Sequence, residues 1–327
     1  MSYEALNVLS TEKLTQTILL DLGFGFTKAK CGDKYFHVPS VVGTPRELLE
    51  EQLKMTDIIY NNEFFIGDLA IRQSHSLLYS MNENKAQSEV AEILMKAAIG
   101  AVGEQSKKIN IVTGLPFSMH STQKEEMEKL IKNINNQNVS TYIVNEGNNA
   151  LTIEIENYKV IPQGFSVAMN YLLDENGKLT RKDEAKKQLL VVDIGFYTLD
   201  FVILEGMEIH RFSHSRSDLG VSSLYQEIML HLKGKRPQIH KLDKDIRNRQ
   251  FDGMDITKLV EKAFDVYAKQ IETEIKGFNM NFSNILISGG IAPEIVKRIN
   301  YHNLYLSESS SFDNLHGYEK IAKRLWG

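Results

Sequence analysis

Cysteine is almost absent. Cys31 stands alone in 327 residues. That excludes an internal disulfide and a cysteine-cluster zinc site, and a cytoplasmic location is expected. Beside a strand pattern, Cys31 reads as a small core residue. No apolar run approaches the roughly 20 residues that span a bilayer, so no membrane partner is expected. The opening MSYEALNVLSTEKLTQT carries Glu4 and Glu12 and lacks the apolar centre of a signal peptide. It reads as an extension, residues 1–17, before the first strand. Strong charge is missing as well. A formal net charge of −4 gives no reason to expect direct binding of nucleic acid. The balance of 42% apolar and 24% charged residues is that of an ordinary globular chain, and the length suggests about two domains.

What the chain does contain is a repeat. LLDLGFGFTK runs over Leu19–Lys28 and LVVDIGFYTLD over Leu190–Asp200. Each is a short apolar strand, an Asp, one residue, a Gly, a Phe and then a turn. Strand patterns over Thr17–Asp21, Ala29–Cys31 and Tyr35–Val38 predict a meander around the first copy. Leu189–Asp193, Thr198–Leu204 and Glu208–Phe212 predict another around the second. Asn61–Ala70 reads as a hairpin and its exit. KINIVTGLP and NILISGG read as buried strands, and ALTIEIENYKVIPQG as a strand pair leading into a helix at Phe165–Leu173. Helical spacing covers SEVAEILMKAAIGAV and STQKEEMEKLIKNI, the latter opened by Ser121 or Thr122 as N-cap. It recurs in VSSLYQEIMLHL, Ile256–Lys276, from Pro293 onward, and in a tail that docks back on the first half. Asp174–Lys187 is polar and reads as a linker. Mixed strands flanked by helices, restarted once, make an α/β chain built by duplication.

A doubled Asp-x-Gly corner has a chemical use. Gly23, Gly25 and Gly195 lie at hairpin corners, where positive φ is often required and main-chain N–H groups can close on an anion. Asp21 and Asp193 end their strands. Aimed at one polyphosphate, the two carboxylates would repel it unless a divalent cation lay between, and Mg²⁺ suits few carboxylates plus phosphates. Lys28 can reach a phosphate as a point charge. Taken singly, an Asp-x-Gly turn is a common hairpin and Lys28 a surface lysine; the second copy argues for function. A dinucleotide-type reading of DLGFGF fails, because Phe26 stands where the third Gly is needed and strands follow instead of a helix.

These motifs together resemble the actin-like ATPase superfamily, and within it the ParM-type plasmid-segregation actins. LLDLGFGFTK resembles the first phosphate motif, VVDIGFYTLD the second, ILISGGIAPEI the adenosine motif, and VIPQGFSVAM the connecting motif. VTGLPFSMH and FFIGDLA are also similar to ParM-type segments. The resemblance implies a two-domain actin-like (ribonuclease H-like, duplicated) fold with a nucleotide cleft between domains. It implies residues 18–163 plus 312–327 in one domain and 164–311 in the other. It implies Asp21, Asp193 and Gln163 as catalytic residues, with both aspartates at Mg²⁺ and Gln163 orienting water. Gly23, Phe24, Gly25, Thr27, Lys28, Gly195, Thr198, Ser288, Gly289 and Gly290 would bind the cofactor, ATP or GTP in its place. Two residues depart from the pattern. Phe24 replaces a serine that actin places near the γ-phosphate, and Gln163 is a neutral orienter. The region 241–250 is the expected source of ribose and base contacts.

The implied activity is a filament-forming ATPase whose partners are further copies of itself and a DNA-binding adaptor, with no direct nucleic acid contact. Two readings stay open beside it: a sugar or carboxylate phosphotransferase of the same superfamily, and a nucleotide-bound scaffold without turnover. The stretch His231–Gln250 has seven Lys/Arg against Asp243 and Asp245 and reads as a solvated face or a filament or adaptor contact. His210 and His214, four apart with the first in a strand pattern, are not expected to share a metal.

Overall fold

The computed structural model describes residues 14–48, 52–79, 88–232, 234, 237 and 239–327. The expected extension therefore lies mostly outside the described residues, as do Lys233, Lys235 and Arg236 of the basic stretch. Its last residues belong to the first strand, which begins at Thr15.

Two sheets carry the repeat. In the first the strand order is Ile155–Pro162, Lys108–Leu115, Thr15–Leu22, Phe26–Cys31, Lys34–Pro39. In the second it is Leu304–Leu306, Asn284–Gly289, Gln188–Ile194, Leu199–Glu205, Glu208–Ile209. The directions match as well. The first three strands of each are parallel, and the last two pairings are antiparallel. Duplication is thus visible in strand order and polarity. A third sheet, of six short strands from residues 41–152, is confined to the first half of the chain.

The central strands read as unbroken apolar runs because both of their faces are covered. Ile18, Leu20 and Leu22 face one core with the helix Glu89–Val102, while Leu19 faces another. Leu190 and Val192 face a core built on the helices Val221–Leu230 and Thr257–Gly277, while Leu189 and Val191 join Leu19. That shared core holds the two sheets together. It contains a bridging helix, Phe165–Leu172, and a closing helix, Asp313–Trp326, packed on each other. The tail does dock on the first sheet, against the strands Thr15–Leu22 and Lys108–Leu115. Gly317 allows the crossing: a Cβ there would stand 1.9 Å from the Ser166 carbonyl oxygen.

Four expectations change. The two strands read as a pair in ALTIEIENYKVIPQG belong to different sheets. Gly147–Thr152 pairs with Asn138–Ile143, whereas Ile155–Pro162 joins Lys108–Leu115 in parallel. The helix expected from Ser121 or Thr122 begins at Phe117 after Pro116. Its N-terminus is capped from the second sheet: Phe117 N–H donates to Asp200 Oδ2 at 2.9 Å and Ser118 N–H to Ser215 Oγ at 3.1 Å. Local sequence carries no trace of such a cap. The strand expected over Glu208–Phe212 ends at Ile209, and a separate strand, His214–Arg216, takes the next stretch of the same edge. The linker contains a helical turn, Lys182–Ala185. Cys31 is buried as expected.

Two tests follow from these contacts. Gly317→Ala forces the crossing helices apart and should lower unfolding stability by about 2 kcal/mol or more, measured by denaturant titration. Asp200 concerns pH. Burial, opposed by hydrogen bonds from Ser215 and Phe117 and reinforced by the Asp193 charge, pushes its carboxyl from 3.8 up to about 6. A raised carboxyl binds its proton more tightly in the native state. Its stabilising contribution is therefore complete below pH 3.8 and lost as pH rises through about 6. Asp200→Asn keeps an acceptor for Phe117 N–H without the charge. Relative to the parent, the variant should gain on the order of 1 kcal/mol between pH 5 and pH 8 in parallel melts.

Candidate functional site

The matched topology brings the two corners face to face. A cavity of about 370 Å³ lies between them, within the size range of small-molecule sites. Asp21 and Asp193 both line it, each near the end of the central strand of its sheet.

Each corner needs its glycine for closeness. A Cβ at Gly23 would meet the Phe26 carbonyl at 2.4 Å, and one at Gly195 the Thr198 carbonyl at 2.7 Å. Both are the same contact, three residues on. None of Gly23, Gly25 and Gly195 has positive φ, so tight approach rather than left-handed backbone selects them. Gly25 has a further reason, because its Cβ would lie 2.7 Å from the Phe196 ring of the other corner. Gly289 does require left-handed backbone, at φ 112°, and packs on the Ile194 carbonyl. Gly290 faces the cavity with Arg247 beside it. Phe24 stacks obliquely on Tyr197 across the gap, ring centroids 4.9 Å apart.

The polar groups are held from below. Gln163 Nε2 donates to Asp21 Oδ1 at 2.7 Å, and Asn314 Nδ2 donates to Asp193 Oδ2 at 3.0 Å. Lys28 Nζ donates to the Ser311 carbonyl at 2.6 Å and stands 3.5 Å from Asp21 Oδ2. Burial pushes the Asp193 carboxyl upward; the Asn314 hydrogen bond opposes that and the Asp21 charge adds to it. Burial and the nearby Lys28 charge both hold the His37 imidazole below its ordinary value. Beneath the acids, burial raises the Tyr318 hydroxyl well above its ordinary value, with the charges of Asp21 and Asp193 adding to the effect.

Of the residues expected at the site, Asp21, Gly23, Phe24, Gly25, Lys28, Gln163 and Asp193 line this one cavity. So do Gly195, Thr198, Ser288, Gly289 and Gly290. Thr27 does not. It is fully buried, its Oγ1 2.9 Å from Ser40 Oγ, which donates to the Gly23 carbonyl at 2.5 Å. Thr27 therefore props the first corner from behind.

Several lining residues had no motif to announce them. Asn314 and Ser311 come from the entry to the closing helix. Tyr225 comes from a helix of the second half, and Asp243 and Arg247 come from Ile239–Asn248, inside the region 241–250 named above without singling out either residue. Tyr225 Oη donates to Asp243 Oδ1 at 2.6 Å and Arg247 Nε to Asp243 Oδ2 at 2.8 Å. The i, i+4 spacing of Asp243 and Arg247 within the basic stretch was the available signal. His210 and His214 lie away from this cavity, His214 stacked on Phe201.

Residues 20–165 match the family described as actin-like proteins, N-terminal domain. Similar solved structures include a pCBH ParM non-polymerisable quadruple mutant and a 15-stranded ParM filament from Clostridium botulinum. Each is 22% identical, with TM-score 0.75, covering 95% of this chain and 99% of the other. An archaeal actin homolog in complex with ADP is 20% identical, with TM-score 0.71, covering 94% of this chain and 99% of that one. Among curated proteins, no match was found. The strand order, the paired corners and these likenesses agree: residues 20–165 match the actin-like N-terminal domain, and the chain as a whole has the actin-like fold.

Proposed function

We propose that the chain is a filament-forming nucleoside triphosphatase that binds ATP, or GTP in its place, between the two corners and works in plasmid DNA segregation. One observation carries this reading. Two equivalent Asp-x-Gly corners, from two sheets of matching order, face each other across a single cavity. The archaeal homolog holding ADP and the ParM filament support it. On this reading, residues 18–163 plus 312–327 and residues 164–311 would be the two bodies flanking the nucleotide.

The phosphates would lie between the corners, gripped by main-chain N–H groups around Gly23–Gly25 and Gly195–Thr198. Lys28 supplies the fixed positive charge. Ser288, Gly289 and Gly290 leave room for the nucleoside, whose sugar and base would extend toward Asp243 and Arg247.

Among the described residues no group of three His, Cys, Asp or Glu could hold a metal, so a cage made wholly of such side chains is not what this site offers. Two carboxylates beside a polyphosphate suit Mg²⁺, which keeps several waters; Asp21 and Asp193 would hold it. When bound, the ion neutralises charge between the carboxylates and the phosphates.

Gln163 commits its amide nitrogen to Asp21. Its carbonyl oxygen remains the natural acceptor for a water. A neutral amide orients that water without removing its proton, which suits phosphoryl transfer, where positioning and charge stabilisation do most of the work. A γ-phosphate bridging both corners would favour the closed chain, and filament contacts that prefer the closed form would couple assembly to turnover. A DNA-binding adaptor, not this weakly acidic chain, would carry the plasmid, and the assembly would work in the cytoplasm.

The test is sedimentation and turnover with ATP or GTP and Mg²⁺. A nucleotide-dependent pellet and phosphate release are expected, both abolished by chelating Mg²⁺. Gln163→Ala should lower kcat about 100-fold or more while nucleotide affinity stays within about threefold. Turnover that requires an added sugar, or failure to pellet under any nucleotide, overturns the reading.

A further inference from the structure

The closing helix reaches the site through one side chain that no motif announces. Asn314 is its second residue, buried, 121 positions from the acid it touches. Its amide is held at both ends. Ser166 Oγ, on the bridging helix, donates to Asn314 Oδ1 at 2.5 Å, and Asn314 Nδ2 donates to Asp193 Oδ2 at 3.0 Å. The orientation is unambiguous on chemical grounds. Flipping the amide would set its carbonyl oxygen against a carboxylate oxygen, two acceptors with no proton between them. Ser166 is itself fully buried, and its carbonyl is the atom against which Gly317 packs. The Ser166–Asn314 bond is therefore fixed by the same helix crossing that joins the two sheets.

The arrangement duplicates what Gln163 does for Asp21. One carboxamide follows the last strand of the first sheet and holds the first acid; another, from the closing helix, holds the second. The need is electrostatic. Two carboxylates that share a buried cavity repel each other, and an untethered side chain would turn away to relieve that repulsion. From this geometry we propose that Asn314 is a positioning residue for nucleotide hydrolysis. Oriented by Ser166, it fixes the plane of the Asp193 carboxylate so that Asp193 serves the phosphate side of the cavity. The proposal rests on the triphosphatase reading above.

The experiment compares Asn314→Ala, Ser166→Ala and the double variant in the full chain. It reads steady-state hydrolysis and the binding of a fluorescent ADP with and without Mg²⁺. Asn314→Ala is expected to lower kcat about 10–100-fold, the usual range for a group that orients a metal-binding carboxylate, with KM within about threefold. Ser166→Ala is expected to lower kcat by a smaller factor. Because Ser166 acts through Asn314, the double variant should be no worse than Asn314→Ala alone. In binding, the tightening by Mg²⁺ should shrink about tenfold in Asn314→Ala while metal-free affinity is unchanged.

Losses of the two single variants that multiply in the double overturn the proposal. So does a kcat for Asn314→Ala within about threefold of the parent. If Asn314→Ala does not fold, Ser166→Ala decides: Mg²⁺-dependent tightening equal to the parent's overturns it, and a reduced tightening upholds it. A parent chain that binds nucleotide but hydrolyses none sinks the triphosphatase reading by itself, because the binding arm still reports on Asp193.

Discussion

Two carboxylates, Asp21 and Asp193, are buried on opposite walls of one cavity, and the structure around them is organised by their repulsion. Both are largely buried, which weakens the screening that bulk water would give. Asp21 is compensated by Lys28 and a Gln163 amide, Asp193 by an Asn314 amide. Among the described residues, Lys28 is the lysine paired with either acid. A site with such a balance favours further positive charge, which a cation bridging to phosphate would supply under the proposed function. On the proposed function, an affinity for a polyphosphate and a need for a divalent ion would be two sides of the same electrostatic deficit.

The equivalence of the sheets extends to the last residue of each repeat. Asp21 faces Lys28 across its hairpin, and Asp193 faces Asp200 across the other. Each partner stands seven residues after its acid, and each reaches out of its own sheet. Lys28 binds the Ser311 carbonyl at the entry to the closing helix, while Asp200 accepts the first N–H of the helix Phe117–Asn133. The charges are opposite because the targets are: a carbonyl oxygen in one case, the positive end of a helix in the other. The same topological position has become a clasp to the opposite half in both copies.

The bridging and closing helices are where these clasps meet. Their packing needs Gly317 bare, sets Ser166 beneath the cavity and delivers Asn314 to Asp193. Gln163 precedes the bridging helix by two residues. Both carboxamides are thus carried by one helix pair buried in the core that both sheets share. A change in how the sheets sit relative to each other would move both amides together, which ties the conformation of the chain to the geometry of the two acids.

Much of this was legible along the chain. The alternating and continuous apolar runs and the doubled Asp-x-Gly-Phe corner are local patterns that located both sheets and the two acids, whereas Gln163, Thr198, Ser288 and the glycines at 289–290 were named through the family resemblance; together, twelve of the thirteen expected site residues line one cavity. Thr27 was the exception, since a hydroxyl one residue from the cavity wall cannot be told by sequence from one on it. Other features needed distance in space. The cap of Phe117 lies on another sheet, so the helix start was read five or six residues late. Residues 147–152 and 155–162 look like partners because both alternate, and only the competing neighbours Asn138–Ile143 and Lys108–Leu115 separate them. Asn314 sits in a polar stretch with nothing to mark it until the closing helix folds back. Sequence alone thus determined the corners, the strands and the acids, because strand period and turn sterics act within a few residues. Tertiary structure alone decided which amide holds which acid, because that depends on how two helices far apart in the chain cross.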